Sequence, residues 1–156
     1  MLRYEGSLLQ VTIGDKGSYL FTVFGAPVAH HDDAVRAVTA ALALLAPPPE
    51  LGFIRGTWMG VSLGLFRIGP YGSHTRRTYG GQGDKVNMAA RLMQTARASA
   101  GAGAPAPRQG AILCDEAVFQ AAQARLFSAI VVLLVFVLAT FTMLVIYRKL
   151  TQPLAE

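Results

Sequence analysis

The residues best suited to chemistry lie in one stretch, which runs from Arg76 to Thr95 and reads RRTYGGQGDKVNMAARLMQT. A glycine-rich turn leads into an Ala-, Leu- and Met-rich segment that predicts a helix. Asn87 and Arg91 stand four residues apart, so both side chains project from one face of that helix. A guanidinium can grip a phosphate through its planar fork, and an amide can fix a hydroxyl. The pair predicts an anion or nucleotide clamp, with a solvated helix surface as the alternative.

The start of this helix and a second face of it complete the motif. Asp84 is predicted to cap the helix N-terminus, because a carboxylate there accepts free backbone N–H groups. Lys85 is predicted to be solvated, with contact to a phosphate as the alternative. The second face is apolar and predicts contact with a core; it carries Val86, Ala89, Ala90 and Met93.

Strands that could position this helix are predicted on both sides of it. Residues 6–14 (GSLLQVTIG) and 18–24 (SYLFTVF) predict a β-hairpin closed by a turn at 15–17. The remaining expectations are a strand over 60–68 that Gly64 interrupts, a turn over 69–72, a loop over 99–110, a short strand over 111–114 and a helix start over 115–123.

Two histidines and two aspartates precede a helical run over 34–46; they are His30, His31, Asp32 and Asp33. An Asp at this place is typical of a helix N-terminus, where it caps backbone N–H groups and suits the helix dipole. A metal site is the sharper alternative. Adjacent helical residues point about 100° apart, so the four side chains converge poorly on one ion. We therefore predict capping here.

The last element is predicted to cross a membrane. The chain has 156 residues, 53% of them apolar, and much of the apolar excess lies between Leu126 and Tyr147, where no residue is charged. The stretch from Phe127 to Tyr147 is long enough to span a bilayer core of about 30 Å at a rise of about 1.5 Å per residue. Arg148 and Lys149 then provide a basic interfacial anchor.

Charge and cysteine content limit the other partners. A net charge of +5 suits nucleic acid, an anionic membrane or a phosphate-bearing ligand. The sequence has no zinc-ligand spacing and no recognisable nucleic-acid module, so nucleic acid is not expected. Cys114 is the sole cysteine and can form no internal disulfide, which is compatible with a reducing compartment.

Taken together, the motifs resemble a class III nucleotidyl cyclase homology domain. The resemblance covers roughly residues 6–120 and lies in the hairpin, in HHDDAVRAVTAAL, in YGSHTRRTYGGQGDKVNMAARLM and in GAILCDEAVF. The family's G-D-x-V-N-x-A-A-R-L core is intact from Gly83 to Leu92. The long hairpin and the Arg-Arg-Thr-Tyr segment are most similar to the second cyclase half of soluble adenylyl cyclase-like bacterial proteins.

This resemblance implies a fold and an activity. The fold class is α/β, an incomplete α+β sandwich of the ferredoxin-like cyclase type, followed by one transmembrane helix. The family works as a homo- or heterodimer of cyclase homology domains and converts ATP or GTP into the 3′,5′-cyclic monophosphate and pyrophosphate, with Mg²⁺ or Mn²⁺. By position, Asn87 would orient the ribose and Arg91 would stabilise charge at the α-phosphate.

Departures from the family pattern limit these expectations. The family's first strand, with its opening metal Asp, is expected before Met1, so the isolated chain is expected to be inactive. Asp15 lies near the second metal-Asp position, with a turn residue as the alternative. Gln10 stands where catalytic halves often carry a purine-selecting Lys, and Lys85 is the other candidate nucleotide contact.

The expected organisation is a partial cyclase domain over 1–124, a membrane helix over 125–147 and a juxtamembrane segment over 148–156 that resembles the start of a HAMP linker. We expect a single-pass membrane protein with its cyclase part in the cytoplasm. A HAMP-like exit implies the opposite topology, so a join of two protein fragments or a truncated reading frame is a further hypothesis. The predicted function is that of an adenylate or guanylate cyclase, a phosphorus-oxygen lyase, in cyclic nucleotide signalling. The alternatives are a non-catalytic regulatory or dimerisation module and a membrane-anchored sensor fragment.

Overall fold

A computed structural model of the chain describes residues 2–14, 17–100 and 109–151. The chain divides into two compact units, Met1–Ala122 and Gln123–Glu156. The elements in chain order are a 3₁₀ helix (Leu2–Tyr4), β1 (Ser7–Thr12), β2 (Tyr19–Val23), α1 (Asp33–Leu45), a second 3₁₀ helix (Pro49–Leu51), β3 (Gly56–Val61), β4 (Arg67–Gly72), β5 (Arg77–Gln82), α2 (Asp84–Ala100), β6 (Gln109–Cys114) and α3 (Glu116–Thr151).

Within the described residues, the strands pair two by two. β1 and β2 form an antiparallel hairpin, β4 and β5 form a second one, and β3 pairs in parallel with β6. The first hairpin was predicted from sequence and is confirmed, with one irregularity in register between Leu8 and Gln10. The parallel pair brings together strands that are far apart in sequence, since β4, β5 and α2 lie between β3 and β6 along the chain.

Helices α1 and α2 pack on opposite faces of the β3–β6 pair. A β-carbon on Gly60 of β3 would collide with α2, whereas one on Gly110 of β6 would lie 2.7 Å from Leu45 of α1. Gly110 is paired with Thr57, which points away from Gly60 because successive residues of a strand face opposite sides. The β3–β6 pair is therefore the central layer between α1 and α2. The buried apolar residues of the described chain are Val23, Ala40, Ala41, Ala96 and Val118.

The bounds of the strand predicted over 60–68 are wrong, although the interruption expected at Gly64 is confirmed. The structure divides this segment into β3, which begins earlier at Gly56, and β4, which begins at Arg67. Between them Gly64 has φ +155°, a conformation that strands of L-residues avoid, and Leu65 is 99% exposed. The turn predicted over 69–72 is also wrong, because these residues belong to β4. Pro70 is tolerated there because β4 is one strand of a two-stranded ribbon with a free edge.

The C-terminal helix was predicted to be long and apolar, and it is. Among the described residues, the helical stretch Glu116–Arg148 is long and apolar enough to cross a membrane, with a mean hydropathy of 3.0 over its most apolar part. It covers 33 residues, and none of that part is buried within the protein. Such a helix has the length and composition of a single membrane span. Residues 152–156 of the predicted HAMP-like exit lie outside the described residues.

Candidate functional site

Helix α2 carries the predicted clamp and begins directly after β5. Gly83 makes the turn with φ +147°, and its carbonyl oxygen accepts hydrogen bonds from the backbone N–H groups of Val86 (3.1 Å) and Asn87 (3.3 Å). Asp84 was predicted to be the N-cap residue, but it is the first residue of the helix and Gly83 takes the cap position. The glycine is required because a side chain at this φ would be strained.

One face of α2 lies directly on β3. A β-carbon on Gly60 would lie 2.6 Å from the amide nitrogen of Met93 and closer still to the carbonyl oxygen of Ala89. The helix backbone therefore approaches the strand more closely than any other residue at position 60 would permit. Ala96, two turns after Ala89, is 1% exposed on the same face. This contact fixes the rotation of α2 about its own axis.

Asn87 and Arg91 lie on the opposite face of α2. At about 100° per residue, they project about 160° and 200° away from Ala89. Both residues are exposed. With the described residues, neither side chain forms a hydrogen bond or an ion pair. Ala90 was predicted on the core face but is exposed. The pair is thus presented outward from a helix that is held on its other side, and its role stays a prediction.

Lys85 has a partner that was not predicted. Its Nζ lies 2.9 Å from Oδ2 of Asp115, which precedes α3, and the Asp115 side chain is only 11% exposed. The Asp115 carboxylate also accepts a hydrogen bond from the N–H of Val118 (3.0 Å) and contacts the N–H of Leu63 at 3.3 Å through both oxygens. Asp115 thus caps α3 while joining the end of β3 to the start of α2.

These contacts also set the ionisation of Asp115. Burial alone would raise its pKa, but the hydrogen bond from Lys85, the N–H groups of Val118 and Leu63, and the Lys85 charge together outweigh burial and lower the pKa below its ordinary value of 3.8. The sequence signal for the cap was an Asp just before a helical run. Its pairing with Lys85 carried no local signal, because the two residues are thirty positions apart.

The backbone and stem of Lys85 are fixed as well. Ser62 Oγ donates a hydrogen bond to the Lys85 carbonyl oxygen (2.5 Å), and a β-carbon on Gly64 would lie 2.7 Å from Lys85 Cε. The side chain of Lys85 is thus held along its length, and the ion pair with Asp115 balances its positive charge. The assignment of Lys85 as a nucleotide contact stays a prediction.

Gln10 lies on the exposed surface of β1, and its amide is held within the hairpin. Its Nε2 donates hydrogen bonds to the hydroxyls of Thr12 (3.0 Å) and Tyr19 (3.2 Å). The hairpin lies against β5, since a β-carbon on Gly81 would be 3.2 Å from Phe21 Cζ. Asp15, the predicted metal ligand, lies outside the described residues.

The predicted capping aspartates are engaged differently from expectation. Helix α1 has Asp32 at its N-cap position, but the side chain makes no cap hydrogen bond. Instead Asp32 Oδ1 accepts a bond from Arg36 Nε (2.8 Å), and Asp33 Oδ2 accepts one from the N–H of His30 (2.7 Å). The hydrogen bond from Arg36 lowers the pKa of Asp32.

Glu5 closes this network from the N-terminal turn, where it contacts both Arg36 and His30, the latter at 3.1 Å. In this network each carboxylate near α1 is paired with a cationic side chain, a histidine or a backbone N–H group. Across the described residues, no group of three or more His, Cys, Asp or Glu side chains could hold a metal ion.

The comparisons with known proteins concern the fold. No protein-family model matches the chain, and no curated protein matches it. The structure is similar to the crystal structure of the guanylyl cyclase Cya2, with a TM-score of 0.54 and 23% sequence identity over 78% of this chain. The similar region is 58% of the Cya2 chain, so the protein spans less than two thirds of it. The chain therefore has a cyclase-like α/β fold.

Proposed function

We propose that this chain supplies half of a class III nucleotidyl cyclase site. In this proposal Asn87 orients the ribose of ATP or GTP, and Arg91 stabilises charge on the α-phosphate during formation of a 3′,5′-cyclic monophosphate and pyrophosphate. The observation that carries the proposal is the outward presentation of both side chains from a helix pinned to β3 at Gly60. Such a rigid support is what precise positioning of a transferring phosphoryl group requires.

The division of labour follows from the two side chains. The attacking group is the ribose 3′-hydroxyl, which gives up its proton to water and forms a bond to the α-phosphorus while the bond to the pyrophosphate oxygen breaks. The Asn87 amide can hold the ribose by hydrogen bonding, so that the hydroxyl stays in line. Arg91 can place two N–H donors on an oxygen-rich transition state whose negative charge is spread over the phosphoryl oxygens. An exposed location suits both roles, because the substrate would lie between α2 and a second cyclase domain.

The family's Mg²⁺ or Mn²⁺ does not fit the described residues. They contain no cluster of carboxylates and histidines large enough to hold a cation, and the nearby carboxylates of α1 and α3 are engaged by Arg36, His30 and Lys85. A composite site would take its metal ligands from the partner domain, with Asp15 as the predicted contribution of this chain.

A complementation experiment tests the proposal. The full chain, in lipid nanodiscs, is mixed with a soluble cyclase homology domain that keeps its metal carboxylates but has Ala at its own Asn and Arg positions. Cyclic nucleotide should form only in the mixture. Arg91→Ala should then reduce turnover by about 10²-fold, the usual loss for a donor to transition-state charge. Gln94→Ala, exposed on the same helix, is the matched control. Equal turnover with Arg91→Ala would contradict the proposal.

A non-catalytic dimerisation or regulatory module is the second candidate. Two observations favour it: the Gln10 amide donors are used within the hairpin, and the hairpin exposes several apolar side chains. These are Leu8, Val11, Ile13, Tyr19 and Leu20. In this case the mixture would form a stable heterodimer, detectable by light scattering, but would neither bind a fluorescent ATP analogue at this face nor produce cyclic nucleotide.

We also propose that α3 anchors the chain in a bilayer as a single span, with the cyclase-like unit on the cytoplasmic side, where nucleotide is available. Its support is the length and uniform apolarity of the helix. Extraction of the expressed protein from membranes should require detergent and fail with alkaline carbonate. Release by carbonate would contradict this anchoring.

A further inference from the structure

The β4–β5 hairpin carries positive charge that the described residues leave unmatched. Residues 67–82 include three arginines and one histidine but no aspartate or glutamate. These basic residues are Arg67, His74, Arg76 and Arg77, and all four are exposed. None of the three guanidinium groups forms an ion pair with a residue that the structure describes, unlike Arg36 of α1. A concentration of such charge on one hairpin favours an anionic partner.

The tip of this hairpin is an ordered turn. Ser73 N–H donates to the Arg76 carbonyl oxygen (2.9 Å), and Arg76 N–H donates back to Ser73 Oγ (3.2 Å). Ser73 Oγ also lies 3.1 Å from Thr75 Oγ1. Gly72, with φ +126°, permits the close passage of the backbone beside Arg76. The turn therefore presents Arg76 and Arg77 from a defined backbone and not from a loose loop.

Aromatic side chains accompany the basic ones. Tyr71 of β4 is 41% exposed, and Tyr79 of β5 is 58% exposed. Tyrosine favours the boundary between water and lipid, since its ring is apolar and its hydroxyl remains hydrated. Basic residues near a membrane anchor are attracted to anionic headgroups.

We propose that the tip of the β4–β5 hairpin binds the anionic headgroups of a bilayer. The partner is indicated by the same chain, because α3 has the length and composition to hold the protein at a membrane. A few arginines bind a bilayer weakly when free in solution. A tether makes the second contact intramolecular and so converts a weak site into a populated one. The proposal rests on insertion of α3 and is independent of catalysis. Nucleic acid is the rival partner, and among the described residues no element comparable to α3 would hold a nucleic acid near the hairpin.

The test uses the full chain in nanodiscs, in a Thr75→Cys, Cys114→Ser variant whose single thiol, at the hairpin tip, carries an environment-sensitive fluorophore. Nanodiscs contain phosphatidylcholine alone or mixed with phosphatidylserine. The fluorophore should shift to the blue only with phosphatidylserine, and high salt should reverse the shift. Adding Arg76→Gln and Arg77→Gln should lower the ratio of docked to undocked protein about 25-fold, or about fivefold for each arginine.

A matched variant carries Arg3→Gln and Arg55→Gln, which remove the same charge from exposed positions outside the hairpin. It should dock like the parent. The proposal is overturned if the shift is equal in neutral nanodiscs, if it survives the Arg76 and Arg77 substitutions, or if both pairs weaken it equally. A response to an RNA or DNA oligonucleotide in neutral nanodiscs, without one to phosphatidylserine, would identify the rival partner. Failure of the chain to enter nanodiscs would remove the tether and overturn the proposal as well.

Discussion

Gly60 of β3 and Ala89 of α2 approach each other so closely that no side chain fits between them. A β-carbon on Gly60 would overlap the carbonyl oxygen of Ala89 and lie 2.6 Å from the amide nitrogen of Met93. The contact involves backbone atoms, which cannot move aside as a flexible side chain could. It therefore sets both the distance between helix and strand and the direction in which Asn87 and Arg91 point.

Gly60→Ala should destabilise the protein strongly. The added methyl group forces α2 away from β3, and overpacking of this kind costs about 1–3 kcal/mol of unfolding free energy. Urea unfolding of the full chain in detergent can measure it through Trp58, the sole tryptophan, which lies on β3 below the Arg97 guanidinium at 5.6 Å. Gly14→Ala is the control, because its β-carbon would meet its nearest neighbour at an ordinary 3.7 Å. Equal midpoints for the two variants would contradict this reading of the contact.

Of the two residues in the Lys85–Asp115 ion pair, Asp115 should contribute more to the free energy of unfolding. Asp115→Ala removes the cap of α3 and leaves Lys85 and the Leu63 N–H without their acceptor, so we expect a loss of about 3 kcal/mol. Lys85→Met leaves Asp115 with two backbone donors, and Lys85 is partly exposed, so its loss should be about 1 kcal/mol.

A double-mutant cycle measures the coupling between Lys85 and Asp115. The double variant should be little worse than Asp115→Ala alone, because the partner of Lys85 has already gone. Strict additivity of the two losses would mean that the residues act independently. Urea midpoints of the four proteins, followed by Trp58 fluorescence, provide the data.

Local sequence patterns predicted the elements whose signals are local. The hairpin of β1 and β2, helix α1, the outward face of α2 and the apolar α3 follow from alternation, helical period or composition. The interruption of the strand at Gly64 was predicted, but the bounds were not: β3 begins earlier, at Gly56, and β4 continues to Gly72. Glycines alone do not fix such bounds, since they also occur inside strands, as Gly60 does.

Long-range partners were the other limit. Asp115 was predictable as a helix start but not as the partner of Lys85, because only the parallel pairing of β3 with β6 brings the two together. The Asp32 side chain was expected to bond to the helix backbone. It bonds to Arg36 instead, whose guanidinium also contacts Glu5 of the N-terminal turn. At Asp32 the ion pair with Arg36, four residues further along α1, prevailed over the capping hydrogen bond, and the long-range contact is the one between Arg36 and Glu5.

Stability should fall in acid through the same carboxylates. The pKa values of Asp115 and Asp32 are lowered in the folded protein below 3.8. A lowered folded-state pKa contributes stability above the unfolded-state pKa, and that contribution is lost as the pH falls through the folded-state value. The unfolding free energy should therefore decrease below about pH 4. Asp115→Asn should flatten this decrease and leave the part due to Asp32. An unchanged pH slope in Asp115→Asn would contradict the assignment.

The geometry of the Arg91 guanidinium, and not only its charge, should matter for turnover. Arg91→Lys keeps one positive charge but loses the planar pair of donors that matches a phosphoryl group. In the complemented cyclase, Arg91→Lys should therefore lower kcat about tenfold and Arg91→Ala about 10²-fold, with small changes in KM, because the contact forms mainly in the transition state. Asn87→Ala should raise KM as well, since the ribose is held in the ground state too. Steady-state kinetics with ATP and with GTP separate these effects. If Arg91→Lys and Arg91→Ala alter only KM, Arg91 binds ground-state phosphate and does not stabilise the transition state.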